Sequence, residues 1–536
     1  MPEGEGIVVM KTAVLSVSDK KGLVGLAREL AGFGVEMLAT GGTFSSLREA
    51  GVEVKSLQDD MNLPTAVSGR VKTLHAPLHA AILARGNEEH LRELRAMGIK
   101  PVDAVVCNFY PFQDVARLAG QADSQLVESI DIGGPTMVRG ASKNFERVAV
   151  VPSPKYYPLV VEELKRTGGG TTLEFRRRLA IEAFSLTSSY DASIFNALRR
   201  IALDGFPERF LVSGSKFVDA KYGENPDTKA AIYTIDGCTT MAGWEQLAGD
   251  AMSFNNYLDV GSAYCIVEGY EDVAAVAVVK HGQISGFGFA STVPEAYTLA
   301  HSCDPEADFG GCVVSNREID AEAARLIGRN EGEKDGSVYT EIVAAPAFAY
   351  EALSLLAAKQ KKKIRVIMTG AKPDFPYDIK VVEGAMLVQR TVDFGLKLDA
   401  SGITVPTRKK PAGDGLLKLL AAWEVVRKVQ SNGIVIANGD VEGGSVKRFW
   451  TLGVASFRKR NGAVKIALEN AGDRAEGAVC ASDGFFPFRD SIDLLAGAGV
   501  SSVIQPGGSA RDSEVVRAAD EHGMTMVLTH KRAFKH

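Results

Sequence analysis

Along the first 200 residues, short uninterrupted apolar runs alternate with stretches of helical periodicity. Thr12 to Val17 reads as a buried strand, and Leu23, Leu26, Ala27 and Leu30 then recur at helical spacing until Gly32 and Gly34 end the helix. Val35 to Ala39 predicts the next strand, Phe44 to Ala50 a helix and Val52 to Leu57 a third strand. Asp103 to Tyr110 and Val148 to Pro152 repeat the buried-strand pattern. This order predicts an α/β fold built on a doubly wound, mostly parallel sheet, whose ligands lie beyond the carboxyl ends of the strands. A helical pattern from Leu173 to Arg200 closes the region, with Phe184 to Tyr190 packed on the sheet.

Residues 201–220 mix Gly, Pro and Ser with scattered apolar positions, which predicts a linker between domains at 1–200 and 221–536. Beyond it, Ser253 to Asp259 leads into a helix, and Ala274 to Val279 is an apolar strand that stops at Lys280-His281. Cys312 to Ser315 and Glu341 to Pro346 read as further strands, and Tyr350 to Gln360 and Leu416 to Val429 as helices.

A chain of 536 residues exceeds one ordinary core, in keeping with two or more domains. A net charge of -5 and the lack of a long basic run argue against a nucleic-acid binder. Six cysteines without a C-x-x-C pair suit a reducing cytoplasm rather than a disulfide framework or zinc. No stretch reads as a signal peptide or a membrane span, so a cytoplasmic protein is expected, with no membrane partner.

Candidate chemistry gathers at the strand ends. Gly69-Arg70-Val71-Lys72-Thr73-Leu74-His75 packs cations, a hydroxyl and an imidazole beside a glycine, while Ser16-Val17-Ser18-Asp19-Lys20 and Thr40-Gly41-Gly42-Thr43 form strand-to-helix loops. Unpaired N–H groups and the positive end of a helix favour phosphate there. Any one of these loops alone reads as a helix cap, but the three together point to a phosphorylated small molecule. Asp131, between Ile130 and Ile132 and ahead of Gly133-Gly134, is either a partly desolvated, oriented carboxylate or the cap of a helix beginning near Pro135. Lys280-His281 is either an acid/base pair or an ordinary strand end. Gln430-Ser431-Asn432 offers amides to a carboxamide, and the three phenylalanines of Ser482 to Asp490 would line a pocket for a flat ring. His75 and His79 have a metal-like spacing, but Pro77 argues against the helix that would align them, so no metal is expected.

Taken in order, Ser16 to Lys20, Gly41-Gly42-Thr43, Gly69 to His75, Asn108 to Phe112, Ile130 to Gly134 and Lys143-Asn144 resemble the IMP cyclohydrolase half of the bifunctional purine-biosynthesis family. Tyr222 to Pro226, Lys280-His281, Phe309-Gly310-Gly311, Ser431-Asn432, Asp483 to Asp490 and the Arg532 to His536 tail resemble its AICAR transformylase half. The resemblance implies an N-terminal methylglyoxal-synthase-like domain, a zinc-free cytidine-deaminase-like C-terminal domain with two subdomains, and a homodimer. It implies formyl transfer from 10-formyltetrahydrofolate, a cosubstrate, to AICAR, then dehydrative closure of formyl-AICAR to IMP. Catalysis would rest on Lys72, Tyr110, Asp131 and Lys143 for closure, and on Lys280, His281 and Asn432 for transfer. Substrate would be held by Ser16, Ser18, Lys20, Thr40, Gly41, Gly42, Thr43, Arg70, Thr73, Asn108, Ile132, Gly133 and Gly134 in the first half. In the second, Lys221, Tyr222, Asn256, Gly310, Glu341, Phe485, Asp490, Arg532 and Phe534 would do so.

The second half departs from that pattern. Gly282 to Gly286 stand where the family has Asn-Pro-Cys-Gly, Lys221 replaces an arginine, Asp227 replaces a histidine, and Val441 to Arg460 replaces a glycine-rich stretch. These changes leave open a cyclohydrolase whose C-terminal half is inactive, is a scaffold or uses another formyl donor. A nucleotide sensor without turnover is a further alternative.

Overall fold

The computed structural model describes residues 6–62, 67, 71–117, 123–202, 205–239, 241–328, 339–358, 363–391 and 402–536. The chain forms two compact units, residues 1–215 with 235–237, and residues 216–234 with 238–536. Within the expected linker, Gly214–Asp219 is a strand.

In the first unit, strands β1 (Thr12–Ser16), β2 (Glu36–Ala39), β3 (Lys55–Ser56), β4 (Ala104–Cys107) and β5 (Ala149–Val151) form one sheet in the order β3-β2-β1-β4-β5, every pair parallel. The continuous apolar runs of β1, β4 and β5 are buried throughout, as a sheet covered on both faces requires. Helices α1 (Leu23–Gly32), α2 (Gly41–Glu49), α3 (Ala76–Leu83), α4 (Gly133–Lys143) and α5 (Leu173–Ala202) connect or flank the strands. The third strand is far shorter than Val52 to Leu57, because Ser56 caps a helical turn, Leu57–Asp60, through the Asp59 N–H. Chain order reverses between β1 and β4, and the crevice beyond their carboxyl ends is the natural ligand position.

The second unit is a mixed α/β domain around one sheet of eleven strands. Its strands are β6 (Glu245–Ala248), β7 (Ala274–Lys280), β8 (Gln283–Ala290), β9 (Gly311–Ser315), β10 (Thr340–Ala345), β11 (Arg365–Met368), β12 (Gly433–Glu442), β13 (Ser445–Ser456), β14 (Val479–Ser482), β15 (Ser502–Gln505) and β16 (Thr525–Leu528). They run β6-β11-β10-β9-β7-β8-β13-β12-β14-β15-β16. Parallel triplets at either side, β9-β10-β11 and β14-β15-β16, flank an antiparallel centre. Helices α6 (Phe254–Val267) and α7 (Gly413–Val426) cover one face over a shared core with Trp423 and Phe287, while each half has its own core on the other face. The two halves thus appear as wings of one sheet.

The departing segment Val441 to Arg460 is an ordered part of that centre. Gly443 and Gly444, both with positive φ, turn β12 into β13, and α8 (Arg460–Ala471) follows.

Candidate active sites

At the crevice of the first unit, loops from four regions are tied together. The Thr43 hydroxyl accepts from Val17 N at 3.0 Å, and Ser16 Oγ lies 2.8 Å from Thr40 Oγ1. Asn108 Oδ1 accepts from Ser18 N and Asp19 N at 2.7 and 2.8 Å, and its Nδ2 donates to Asp19 O at 2.9 Å. Asn108 therefore clasps the ends of β1 and β4, with its amide directed to the Ser18-Asp19 backbone. At the start of α2, Thr40 makes no side-chain cap and no acidic residue occupies the first turn, so the helix presents its positive end to the crevice. Lys20 Nζ reaches that end, 3.9 Å from where a Cβ on Gly42 would stand.

Asp131 unites the two readings of its sequence. Its carboxylate accepts from Gly134 N at 2.9 Å and from the N–H groups of Gly133 and Tyr110, so it caps α4, and it also lies within the field of Lys72. Burial pushes its carboxyl above the ordinary aspartate value, while these N–H groups and the Lys72 charge pull it down. The Tyr190 hydroxyl accepts from Asp131 N at 2.8 Å, fixing the backbone from α5. Thr73 is buried against Gly133, where a Cβ would come within 2.3 Å of its hydroxyl, so only glycine fits. Tyr110 is 54% exposed and Ile132 56%, both open to a ligand.

Lys143 is not brought to this group. It is the exposed last residue of α4, and ten residues of helical rise set it roughly 15 Å from Gly133. Arg70 lies outside the described residues. Contrary to the argument from Pro77, α3 does form, since proline is tolerated in its first turn and His75 is the N-cap. Among the described residues no group of three or more His, Cys, Asp or Glu side chains could hold a metal ion.

In the second unit, strand register places the candidate residues along one edge of the sheet. Lys280 pairs with Gln283, Val279 with Cys312, Cys312 with Ile342 and Ile342 with Arg365. On the other wing Gly433 pairs with Ser456, and Ile434 with Ser482. Two clusters result.

The first surrounds His281. Lys280 does not simply end a strand, since His281 (φ 54°) and Gly282 (φ 72°) form a two-residue hairpin turn into β8. Nearby, Glu341 accepts from Arg365 at 3.0 Å and from Asn256 Nδ2 at 3.2 Å. Asn256 is also half of a capping box with Ser253 that opens α6. Lys221 N donates to Met252 O and Phe254 N to Tyr222 O, which seats Lys221-Tyr222 beside that helix start. Gly310, with φ 72°, donates its N–H to Tyr339 O at 2.7 Å.

The second cluster is built on Arg460, 8% exposed, and Asp483, fully buried, 2.5 Å apart. Arg460 also donates to Ser482 Oγ at 2.8 Å and to Asn432 Oδ1 at 2.6 Å. Asn432 Nδ2 donates to Phe457 O and Arg458 O, at 3.1 and 3.2 Å, so this amide is engaged by the protein. The tail docks here: Ser431 N donates to Lys535 O, Ala533 N to Asp483 O, and the Ser431 hydroxyl to the Asp483 carboxylate. Arg532 stacks over Phe485 at 5.2 Å and over Phe534 at 5.9 Å. The three phenylalanines diverge rather than lining one pocket. Phe485 faces the tail, Phe486 is fully buried in the core, and Phe488 is 47% exposed under Arg511. Asp490 accepts from Asn461 Nδ2 at 2.6 Å. Three inter-strand steps separate Lys280 from Asn432, about 14 Å, so a single chain does not bring them into contact.

Two family models match the chain: an MGS-like domain over residues 22–136 and the AICARFT/IMPCHase bienzyme over residues 141–469. The bifunctional purine biosynthesis protein PurH of Desulfitobacterium hafniense is 40% identical over 98% of this chain and 100% of its own. Those of Acetivibrio thermocellus and Anoxybacillus flavithermus are each 41% identical at the same coverage. The chain belongs to the AICARFT/IMPCHase bienzyme family. It is a bifunctional enzyme of IMP synthesis, with formyltransferase and cyclohydrolase activities on one chain. A solved structure described as "Crystal structure of ForH" is 39% identical over 35% of this chain and 99% of its own, with a TM-score of 0.33.

Within the bienzyme family frame, sequence reasoning did not single out Tyr190, Arg365 or Arg460 as members of these clusters. Tyr190 read as a packing residue of a long helix, and Arg460 was only the last residue of an unfamiliar stretch. A lone arginine carries no periodic signal, and its buried partner Asp483 lies 23 residues on.

Proposed function

We propose that the first unit closes formyl-AICAR to IMP at the β1/β4 crevice, and that the second transfers the formyl group of 10-formyltetrahydrofolate to AICAR along the edge carrying Lys280 and His281. The single observation that supports the first assignment most strongly is the convergence of Lys72, Asp131 and the Tyr110 backbone at the point where the sheet order reverses. Ser16, Ser18, Lys20 and the Gly41-Gly42 helix start would grip the phosphate and ribose, with Thr40, Thr43, Thr73, Asn108, Gly133 and Gly134 shaping the walls. In closure the carboxamide nitrogen attacks the formyl carbon and water leaves. That nitrogen is a weak nucleophile, so alignment and stabilisation of the developing oxyanion supply the rate, the latter from Lys72.

In the transfer step the AICAR amine attacks the formyl carbon, the bond from that carbon to the folate nitrogen breaks, and the amine proton ends on the folate nitrogen. His281 takes the proton and Lys280 delivers one to the departing nitrogen. Glu341 and Asn256, fixed by Arg365 and the capping box, would hold the substrate with Lys221, Tyr222 and Gly310. Phe485, Arg532 and Phe534 would form an aromatic and cationic wall, with Asp490 behind it. Because Asn432 and Lys280 stand about 14 Å apart on one chain, a homodimer that completes each transformylase site from two chains is the assembly this reading requires. A cytoplasmic location suits these soluble substrates.

Separate assays test the division of labour. Lys72→Ala should lower ring closure by about 100- to 1000-fold and leave formyl transfer intact, and His281→Ala should do the reverse. If either substitution eliminated both activities in a folded protein, the two-site reading would fail.

A further inference from the structure

His281 is held in a backbone conformation that a histidine seldom adopts, with φ at 54° in the first position of a hairpin turn. A left-handed non-glycine residue is sterically disfavoured, so something must hold it there. The holder is Asp259, on the second turn of α6. Its carboxylate accepts from Gly282 N at 2.6 Å and from the N–H of His281 itself. Both N–H groups of the turn are thereby taken by one side chain from a helix laid across the strands. Leu258 and Ser262, from the same helix, approach Gly282, with Leu258 Cδ2 and Ser262 Oγ each 3.9 Å from where a Cβ would stand.

The same carboxylate is electrostatically coupled to the imidazole. Burial pushes the Asp259 carboxyl up, while the Gly282 N–H, the His281 charge and the His281 N–H draw it down. The other groups facing it are Glu341 on β10, which raises it further and is itself paired with Arg365, and Cys312 on β9, a buried thiol held well above its ordinary range. Lys280 precedes the turn on β7.

We infer that Asp259 is a positioning residue for formyl transfer: it fixes the Lys280-His281-Gly282 turn and its negative charge favours the imidazolium that forms as His281 accepts the amine proton. This rests on the proton-acceptor role proposed for His281. Asp259 supplies from the helix the restraint on this two-residue turn.

The test compares Asp259→Asn and Asp259→Ala with the parent in the full chain. Formyl-transfer kcat should fall on the order of 10- to 100-fold in both, with the KM for AICAR little changed. In Asp259→Asn the acid limb of the kcat profile should move to lower pH, because the imidazolium has lost its neighbouring charge. A purely structural role would lower activity without moving the limb. The second measurement is independent of turnover: NMR titration of the histidine rings, with His281 assigned by His281→Gln, should show the same downward movement in Asp259→Asn. Unchanged kcat or an unmoved His281 titration would overturn the inference. If His281→Ala retained formyl transfer, the proton-acceptor reading would fall instead, and the NMR titration would still decide whether Asp259 and His281 are coupled.

Discussion

The two units gather their candidate residues at the end of a sheet with opposite geometries. In the first, a parallel sheet reverses its chain order between β1 and β4, and loops from Ser16 to Lys20, Asn108 to Tyr110 and Asp131 to Gly134 meet in one crevice, tied by Asn108 and by the Asp131 cap. In the second, an antiparallel centre spreads the candidate residues along an edge, a strand spacing at a time, into a His281 cluster and an Arg460 cluster. A crossover sheet concentrates chemistry. An edge distributes it.

That comparison can be broken most severely at Arg460. Its removal in Arg460→Met would strand the fully buried Asp483 without a counter-charge, a loss of about 3–5 kcal/mol. Thermal unfolding should show the transition of the second unit falling while ring closure by the first survives. Loss of ring closure in step with that transition would show that the units are not independent.

A smaller effect is expected at the clasp of the first unit. Asn108→Ala leaves the N–H groups of Ser18 and Asp19 without their acceptor and should cost about 1–3 kcal/mol. The KM for formyl-AICAR should rise with formyl transfer unchanged, and steady-state kinetics of each reaction will read it. An unchanged KM would remove the clasp from the binding account.

The smallest effect is electrostatic. Asp131 is held above its ordinary 3.8 by burial, so its contribution to stability is fully present below that value and is lost as pH rises through the raised folded one. Relative to the parent, Asp131→Asn should therefore gain stability as pH rises from about 3.5 to about 7. Denaturant midpoints across that range check the sign. A relative loss would mean that the Lys72 charge and the N–H groups outweigh burial.

Much of the first unit was legible in its pattern. Buried strands at Thr12, Val35, Asp103 and Val148 were readable because a sheet covered on both faces demands unbroken apolar runs. The loops after the strands were readable because strand-to-helix turns favour glycine and hydroxyl residues. Lys143 shows the limit: its identity is plain in the sequence, but the length of α4 carries it away from Asp131. In the second unit the Lys280-His281 pair was visible, whereas its hairpin turn was not, since nothing in Gly282-Gln283 announces a partner strand beginning at once. The segment from Val441 to Arg460 read as a replacement rich in Lys and Arg, yet it carries the turn and second strand of a hairpin within the sheet, with Lys447, Arg448, Arg458 and Lys459 exposed and Arg460 buried.

The sequence by itself determined the alternation of strands and helices and the set of chemical groups, because burial periodicity and local turn chemistry are written residue by residue. Which of those groups meet was decided only in three dimensions. Asp131 lies in the field of Lys72, Asp259 holds the His281 turn and Arg460 holds Asn432, all between positions far apart in the chain. Such contacts follow from sheet order and register, and no local pattern of residues encodes them.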